Sequence, residues 1–497
     1  MKKIALLLCC AMLLTLFGCG VNTPETTQAP TTTTAPAEAL ELRYDDRILL
    51  SDICDEKKPE VTISDQNVTS KAVGTDDPDE AVLTYDEKGK CIVATGTGTA
   101  TVQVADKVYD VTVTAAPISL FMITGHSIGA GQCGDPQISA VCADGMAYSS
   151  HGTNALQGIS GKAGIGYGSK IAGIDAFSAK GEGTIGEGSG LAWQWIEETG
   201  EKVWVLNTAV PGACLPEWIP GEEYYENAVT TFKAAEAVLA SEVAAGHYEL
   251  KDMAVLYHGG TNFVNPGNGN NYTYSQEDLK NWYDAMWNGF KTEFTMDIGG
   301  TSRTVSKIGF VPIYTSTYQG GFFCDIPANY YMSASSEYSE YFIASDIGRL
   351  WLGNDDVKAH FPAPGYDTHM GTPQQLTSSD QIFSDGVHYT QLAYNALGTD
   401  IAKQLYTALR GEFAFNGITL QDDAGNPIND TYTLAKGQSV SIVPQVDSVG
   451  AGGMDFTVSG SISKSFPCVI TGTASGSGTL QIKRDGAVIK TVTFTVQ

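Results

Sequence analysis

Apolar and polar residues alternate in two stretches of the chain, one near each end. Between residues 40 and 116 the alternation falls into short runs such as 100–104 and 109–113, which Gly, Asp, Asn and Pro separate. The same pattern returns after residue 413, for example at 490–496. Several short strands at regular spacing are typical of a small β-sandwich. The pattern therefore predicts two β-sandwich domains, at 40–116 and 411–497.

Between these stretches, predicted strands alternate with longer helical segments. Strands are expected at 118–123, 202–209, 253–257 and 306–314, and helices at 191–199, 226–245 and 391–409. Ser275 and Asp278 have capping-box spacing for one more helix. Alternating strands and helices favour a mostly parallel sheet with helices on both faces, so residues 117–410 are predicted to form an α/β domain. The Gly-rich segment 152–190 remains unassigned.

The N-terminus has the three parts of a secretory signal. Lys2 and Lys3 precede the apolar segment 4–17, which is shorter than the roughly 20 residues that a membrane-spanning helix needs. The segment ends Leu16-Phe17-Gly18-Cys19, which resembles a bacterial lipobox, and the resemblance implies lipidation of Cys19 after removal of residues 1–18. Ordinary secretion with an incidental cysteine is the alternative. Residues 19–39, rich in Thr, Pro and Ala, are interpreted as a tether to the outer face of the cell membrane.

Charge and cysteine content narrow the classes of partner and cofactor. The chain has 29 Lys and Arg residues and 56 Asp and Glu residues. The resulting net charge of −27 would repel nucleic acid and anionic lipid. Seven of the ten cysteines remain after the signal and Cys19, so at most three pairs form. Cys54 with Cys91 is one plausible pair, but the connectivity stays open. Because paired Cys/His spacing is absent from the sequence, we expect no structural zinc. No cofactor is expected either.

A candidate nucleophile follows the first strand of the central domain. The apolar run 118–123 leads to Gly125-His126-Ser127, which would present Ser127 at the carboxyl edge of the sheet. A serine hydroxyl is a weak nucleophile until a positioned base takes its proton, and that base needs a group that orients it. Asp385 and His388 stand three residues apart, before the last predicted helix. They are predicted to be the orienting acid and the base, although a solvent-exposed loop histidine is the simpler alternative for His388.

The negative charge that develops on an attacked carbonyl needs fixed hydrogen-bond donors. Candidates are the backbone N–H groups of Ser127 and Gly212 and the side-chain amide of Asn262, because Gly212 and Asn262 each follow a predicted strand. Both residues have turn formation as their alternative role. Trp218, close to Gly212, is a candidate for stacking on a sugar ring, or else a core tryptophan.

Taken in order, Gly125-His126-Ser127, Gly212, Gly260-Thr261-Asn262 and Asp385-x-x-His388 resemble the four sequence blocks of the SGNH hydrolase superfamily. The resemblance covers about 117–410 and implies a flavodoxin-like sheet, a Ser-His-Asp triad without metal, and deacylation of esters, often acetyl groups on sugars. Segments 255–262 and 385–389 are similar to the carbohydrate esterases of that superfamily, and 207–218 is similar to its sialate O-acetylesterase-like branch. In the first β-unit, 94–102 and 111–114 resemble bacterial immunoglobulin-like modules, and both flanking units are predicted to be of that type.

Two departures from the family pattern concern histidines. His126 fills a position that is usually Asp or Gln, and His258-Gly259-Gly260 replaces the Gln-Gly-Glu of the sialate-esterase branch. The second departure weakens any transfer of specificity for sialic acid. His126 is interpreted as a loop residue that supports the site rather than as a catalytic base. His126 and His258 join Trp218 as candidates for the substrate-binding side of the site.

These observations predict a monomeric serine esterase that removes acyl groups, with acetyl expected, from oligo- or polysaccharide. One alternative is a glycan-binding or adhesive lipoprotein whose central domain has lost turnover. A second is an α/β-hydrolase, because Gly125-x-Ser127-x-Gly129 fits the nucleophile-elbow pattern. That fold places several strands before its serine, whereas here the first β-unit ends only about ten residues upstream.

Overall fold

The structure is a computed structural model. It describes residues 37–71, 80–134, 140, 142–143, 145–151, 156–158, 186–259, 264–265, 270–271, 275–312, 326–345, 347, 388–411, 415, 417–422, 426–446 and 452–497. Its strands are β1 (Glu38–Arg43), β2 (Arg47–Leu49), β3 (Val61–Val68), β4 (Leu83–Asp86), β5 (Cys91–Ala94), β6 (Gly98–Val104), β7 (Lys107–Thr114), β8 (Ala116–Gly125), β9 (Ala147–His151), β10 (Leu156–Gly158), β11 (Lys202–Asn207), β12 (Tyr248–His258), β13 (Val264–Asn265), β14 (Asn270–Asn271), β15 (Thr295–Ile298), β16 (Thr301–Thr304), β17 (Lys307–Phe310), β18 (Tyr341–Ile343), β19 (Ile418–Gln421), β20 (Thr431–Leu434), β21 (Ser439–Ser441), β22 (Val443–Val446), β23 (Met454–Gly460), β24 (Ile462–Ser465), β25 (Val469–Gly472), β26 (Gly476–Arg484) and β27 (Ala487–Val496). The α-helices are α1 (Leu50–Ile53), α2 (Gly188–Thr199), α3 (Glu223–Ala245), α4 (Gln276–Glu293), α5 (Ile326–Ala334) and α6 (Gln391–Arg410), with 3₁₀ turns at Leu215–Trp218 and Ser336–Tyr338.

A mostly parallel sheet forms the centre of the molecule. Among the described residues it has seven strands in the order β10-β9-β11-β8-β12-β17-β18, and the β9–β10 pair is antiparallel. When β8, β11, β12, β17 and β18 are counted in chain order, their spatial order is 2-1-3-4-5, the order of flavodoxin-like sheets. In such sheets the crevice for ligands lies beyond the carboxyl ends of the first and third strands. Here these strands are β8 and β12.

Helices cover both faces of this sheet, as the alternation of side chains along β8 requires. Phe121 and Ile123 pack with α2 and α6 on one face, where α6 is the final helix. Leu120 and Met122 point to the other face and join the core formed with α3 and α4. The protein is therefore a multidomain α/β protein whose central parallel sheet is accompanied by several small antiparallel sheets.

The two flanking units share the strand topology of two sheets within the described residues. The N-terminal unit has sheets β1-β7-β6-β3 and β2-β5-β4, and the C-terminal unit has sheets β20-β27-β26-β23 and β21-β25-β24. β1 pairs in parallel with β7 and β20 pairs in parallel with β27, and β7 and β27 each pair antiparallel with the strand before them. The C-terminal unit has one further antiparallel pair, β19–β22, which has no counterpart in the N-terminal unit as far as the described residues extend. Both sheets of the N-terminal unit contribute to a single core, so this unit is a β-sandwich. The immunoglobulin-like resemblance and the domain boundaries remain predictions.

The N-terminal unit docks against the central domain through the β1–β2 turn and its surroundings. Asp46 accepts a hydrogen bond from the buried ammonium of Lys202 at 3.0 Å. Asp45 accepts from Tyr148 and Tyr248, at 2.5 and 3.3 Å. Residues of β9, β11 and β12 are thus tied to one turn of the flanking unit, at the edge of the sheet opposite the carboxyl ends of β11 and β12.

The C-terminal unit packs on α5. The ring of Tyr331 lies 5.2 Å from that of Phe456 and 5.8 Å from that of Phe466, centroid to centroid. Lys464 donates a hydrogen bond to the hydroxyl of Tyr331 at 2.9 Å. Both flanking units therefore make specific side-chain contacts with the central domain.

Most long helices lie where periodicity and caps place them, and the differences concern short elements. The strand expected at 306–314 is Lys307–Phe310, and residues 313–314 lie outside the described residues. Neither α5 nor β18 was predicted. The three residues of β18 are too few to carry a measurable period. Cys54 has a free thiol, so the plausible Cys54–Cys91 bridge is not formed. Residues 1–36, with Cys19 and most of the tether, lie outside the described residues, and no described helix is long and apolar enough to cross a membrane.

Candidate active site

The turn that presents Ser127 depends on Gly125, the last residue of β8. Gly125 has a φ of +125°, and a Cβ atom at this position would lie 2.0 Å from the carbonyl oxygen of His258. Only glycine fits both constraints. The chain then turns through bonds from Ala130 N–H to His126 O at 2.9 Å and from Gln132 N–H to Ser127 O at 3.0 Å. Ser127 is half-buried between the buried residues His126 and Ile128.

His388 approaches Ser127 from the start of α6. Its Nε2 atom lies 3.0 Å from Ser127 Oγ. Thr390 caps α6 by accepting a hydrogen bond from Ala393 N–H at 3.3 Å, and Tyr394 donates to Gln132 O at 2.9 Å. The helix that begins just after the base is therefore bonded to the turn that carries the hydroxyl.

This arrangement is suited to general-base activation of a hydroxyl. A neutral imidazole whose Nε2 faces Oγ within hydrogen-bond reach accepts the proton as the oxygen attacks an electrophile. The two other polar groups predicted for the reaction, Asp385 and Asn262, lie outside the described residues. Their roles stay predictions.

Gly212 lies on the loop that follows β11, the neighbour of β8. Thr208 N–H donates to Ile123 O at 2.8 Å, and Val210 N–H donates to Gly125 O at 2.9 Å. This loop therefore continues alongside the Ser127 turn at the carboxyl edge. Gly212 is half-buried with a φ of +85°, a conformation that glycine adopts readily. Its placement is compatible with the predicted donation of its N–H to an oxyanion, a role that stays a prediction.

Asn207, which the sequence analysis did not single out, fixes the same turn. Its Nδ2 donates to Gly129 O at 2.9 Å, and its Oδ1 accepts from Ala209 N–H at 3.1 Å. The sequence does contain an indication of this role, because Asn207 directly follows the apolar run 203–206. In the structure its side chain is buried. A polar residue in that position usually has a backbone partner.

His126 and His258 are buried beneath the turn, which corrects their assignment to the substrate-binding side. His126 Nδ1 accepts a hydrogen bond from Ile128 N–H at 3.2 Å. Burial lowers the pKa of His126 well below its ordinary value, and the neighbouring His258 and His388 lower it further. His258 is fully buried and its Nδ1 lies 2.8 Å from Oε1 of Glu187. Both rings support the turn from within, and neither presents a face to solvent.

Trp218 also differs from its predicted role as a platform for a sugar. It ends the 3₁₀ turn Leu215–Trp218 with an exposed fraction of 0%. The indole belongs to the core that includes α3 and α4, with its ring 5.9 Å from that of Tyr224. Burying the large apolar surface of the indole is more favourable than leaving it exposed to solvent at the nearby loop. Trp218 is therefore a core tryptophan, the alternative expected from the sequence.

Across the described ranges, no group of three or more His, Cys, Asp or Glu side chains is arranged to hold a metal ion. The described part of the site brings together the Ser127 hydroxyl and the His388 imidazole at the carboxyl edge of the sheet.

A scan of protein-family models and a search of curated protein sequences found no match. Several solved structures match, and two of them are similar to this chain at low scores. An Arabidopsis thaliana protein is 14% identical, covers 59% of this chain and 98% of its own, and has a TM-score of 0.32. A carbohydrate acetylesterase from Xanthomonas citri is 12% identical, covers 94% of this chain and 98% of its own, and has a TM-score of 0.27. At these scores neither match bears on the chemistry of the site.

Proposed function

We propose that the protein is a serine esterase that removes acyl groups from carbohydrate. The observation that carries the proposal is the 3.0 Å approach of His388 Nε2 to Ser127 Oγ at the carboxyl edge of a parallel sheet. Nucleophile and base meet where the strand order opens a crevice for ligands. A half-buried hydroxyl in contact with an imidazole there is the arrangement that acyl transfer requires.

In the proposed reaction Ser127 Oγ attacks the acyl carbonyl carbon while His388 Nε2 takes the hydroxyl proton. The carbonyl oxygen becomes an oxyanion, for which the N–H groups of Ser127 and Gly212 and the amide of Asn262 are the proposed donors. His388 then returns the proton to the departing sugar oxygen. The sugar leaves as an alcohol, and the acyl group remains on Ser127 as an acyl-enzyme. A water molecule, deprotonated by His388, releases the carboxylic acid and restores Ser127. Asp385 is proposed to orient the imidazole and to stabilise its protonated form.

The substrate class rests on the sequence blocks. Segments 255–262 and 385–389 resemble those of carbohydrate esterases, so an acetylated oligo- or polysaccharide is the proposed substrate. The lipobox-like end of the signal supports a site of action outside the cell, with Cys19 as lipid anchor. A net charge of −27 suits an uncharged or weakly charged glycan better than an anionic polymer.

The test is release of acetate from an aryl acetate, acetylated xylan and an acetylated sialoglycan by the lipid-free protein. Ser127→Ala should lower turnover by at least about a thousand-fold, because no other group replaces the attacking oxygen. Ser119→Ala is the matched control. Ser119 lies in β8, the strand that precedes the Ser127 turn, is fully buried, and its hydroxyl has no hydrogen-bond partner among the described residues. Activity within about twofold of wild type is expected for that variant, as is usual for a substitution that removes no partnered group.

Folded wild-type protein that releases acid from none of these substrates would contradict the proposal. In that case, glycan binding that survives Ser127→Ala would favour an adhesive lipoprotein.

A further inference from the structure

Strand β12 ends at a buried contact between a histidine and a glutamate that the proposed reaction does not use. His258 and Glu187 are in contact through Nδ1 and Oε1 at 2.8 Å, and each side chain has an exposed fraction of 1%. If Glu187 is a carboxylate it accepts this bond and Nδ1 is the donor. Burying a polar side chain is costly unless it is hydrogen-bonded, and each of these two residues supplies a partner for the other.

The histidine of this pair lies directly under the Ser127 turn. Its backbone oxygen accepts from His126 N–H at 3.0 Å, and it pairs in register with Gly125. A methyl group on Gly129 would approach His258 Cβ to 3.0 Å, which shows how closely the turn rests on the side chain. The backbone and the Cβ atom of His258 therefore support the residues on both sides of Ser127 from below.

Glu187 connects the Glu187–His258 pair to α6, the helix that begins just after His388. Gly186, next to Glu187, accepts a hydrogen bond at 3.0 Å from the side-chain amide of Gln391, in the first turn of α6. A Cβ atom on Gly398 would lie 2.2 Å from Glu187 O, so α6 packs against the backbone of Glu187 without room for a side chain. One short segment thus contacts His258 through a side chain and α6 through its backbone.

We propose that Glu187 and His258 are positioning residues for the reaction of Ser127. Glu187 fixes the ring of His258, His258 supports the turn from below, and the Glu187 segment holds α6, so Ser127 Oγ and His388 Nε2 keep their 3.0 Å separation. Misplacement of reacting groups by about 1 Å can lower a rate by about a hundred-fold. The inference rests on the proposed function.

The test uses three variants and a control at the other end of the same strand. Glu187→Ala removes the acceptor, Glu187→Gln keeps an oxygen that can accept from Nδ1, and His258→Gln replaces the ring. The control is Glu242→Ala, because His247 Nδ1 lies 2.7 Å from Glu242 Oε2 and both side chains are largely buried. His247 precedes β12 and His258 ends it, which places the two pairs roughly 35 Å apart at about 3.3 Å per residue.

Each variant is assayed for kcat and KM on an aryl acetate and for the rate at which a fluorophosphonate labels Ser127, at a temperature where circular dichroism shows it folded. We expect Glu187→Ala and His258→Gln to lower kcat and the labelling rate by about ten- to a hundred-fold, with KM within about twofold. Glu187→Gln should recover most of the loss. Glu242→Ala should lower the melting temperature and leave kcat unchanged.

Equal kcat in Glu187→Ala and wild type, or the same fall in kcat in Glu242→Ala, would overturn the inference and leave the esterase proposal standing. Wild-type protein that neither turns over an ester nor is labelled at Ser127 would overturn both. Ser127→Ala is the control for labelling. Any labelling at Ser127 that is seen in wild type must vanish in this variant.

Discussion

His388 Nε2 lies 3.0 Å from Ser127 Oγ, although the two residues are 261 positions apart. One stands on the turn after a central strand and the other just before the last helix of the same domain. Tyr394 and Gln391 of that helix bond to backbone oxygens beside the turn. The distance between base and nucleophile is therefore set by how α6 packs, and the packing can be tested at several positions.

Turnover should depend on the base. His388→Gln should be about a hundred- to ten-thousand-fold slower than wild type, because it lacks the group that takes the proton of Ser127. Rate measurements on an aryl acetate check this expectation. A variant as fast as wild type, with chemistry shown to be rate-limiting, would contradict it.

Gly125 should be intolerant of a side chain. Gly125→Ala combines a φ of +125° with a Cβ atom 2.0 Å from His258 O, so we expect a loss of at least about 2 kcal/mol of unfolding free energy and of most activity. Gly300→Ala is the control, because Gly300 has a φ of +83° with no atom within 4 Å of the added Cβ. It should cost only about 1 kcal/mol and leave kcat unchanged. Urea unfolding measures both, and similar losses in the two variants would argue against a close approach at Gly125.

His126 should make stability depend on pH. Burial, assisted by His258 and His388, lowers its pKa in the folded protein below the ordinary value of 6.5. The unfolded chain then binds a proton that the folded protein does not, so this contribution to stability is complete above about pH 6.5 and is lost as the pH falls below it. The slope is at most about 1.4 kcal/mol per pH unit for one group.

The matched variant for this prediction is His126→Asn, whose Oδ1 can replace Nδ1 as the acceptor for Ile128 N–H. The decrease in unfolding free energy between pH 7 and pH 5 should be smaller in this variant than in wild type. An unchanged decrease would show that His126 is not the group that titrates.

The N-terminal unit should stabilise the central domain through Asp46. Lys202 has an exposed fraction of 1% and forms an ion pair with Asp46 at 3.0 Å, so Asp46→Ala leaves a buried ammonium without its carboxylate. We expect a loss of about 3 kcal/mol in urea unfolding. Glu249→Ala breaks the far more exposed pair between Lys251 and Glu249 and should change stability by less than about 0.5 kcal/mol. Equal effects would mean that the docking turn contributes no more than a surface pair.

Much of the architecture is determined by local patterns in the sequence. Period-two alternation predicted β-units at both ends, and two sheets of one unit match two sheets of the other in strand order. The capping box at Ser275 and the glycine after β8 specify local backbone geometry, so they could be interpreted without knowledge of the fold. The candidate pairing of Ser127 with His388 also followed from the sequence, because strand ends and helix starts of a parallel sheet meet at one edge.

The surroundings of the site were decided by tertiary packing. Trp218, His126 and His258 have side chains suited to binding a sugar, yet all three are buried, because burial depends on which elements cover a strand end. Glu187 lies in the Gly-rich segment that no local pattern assigns, and its partner His258 is 71 residues away. Local propensity carries no information about a contact between residues so far apart in the chain. Only the packing of α2 and α6 against the central sheet brings the pair together under the Ser127 turn.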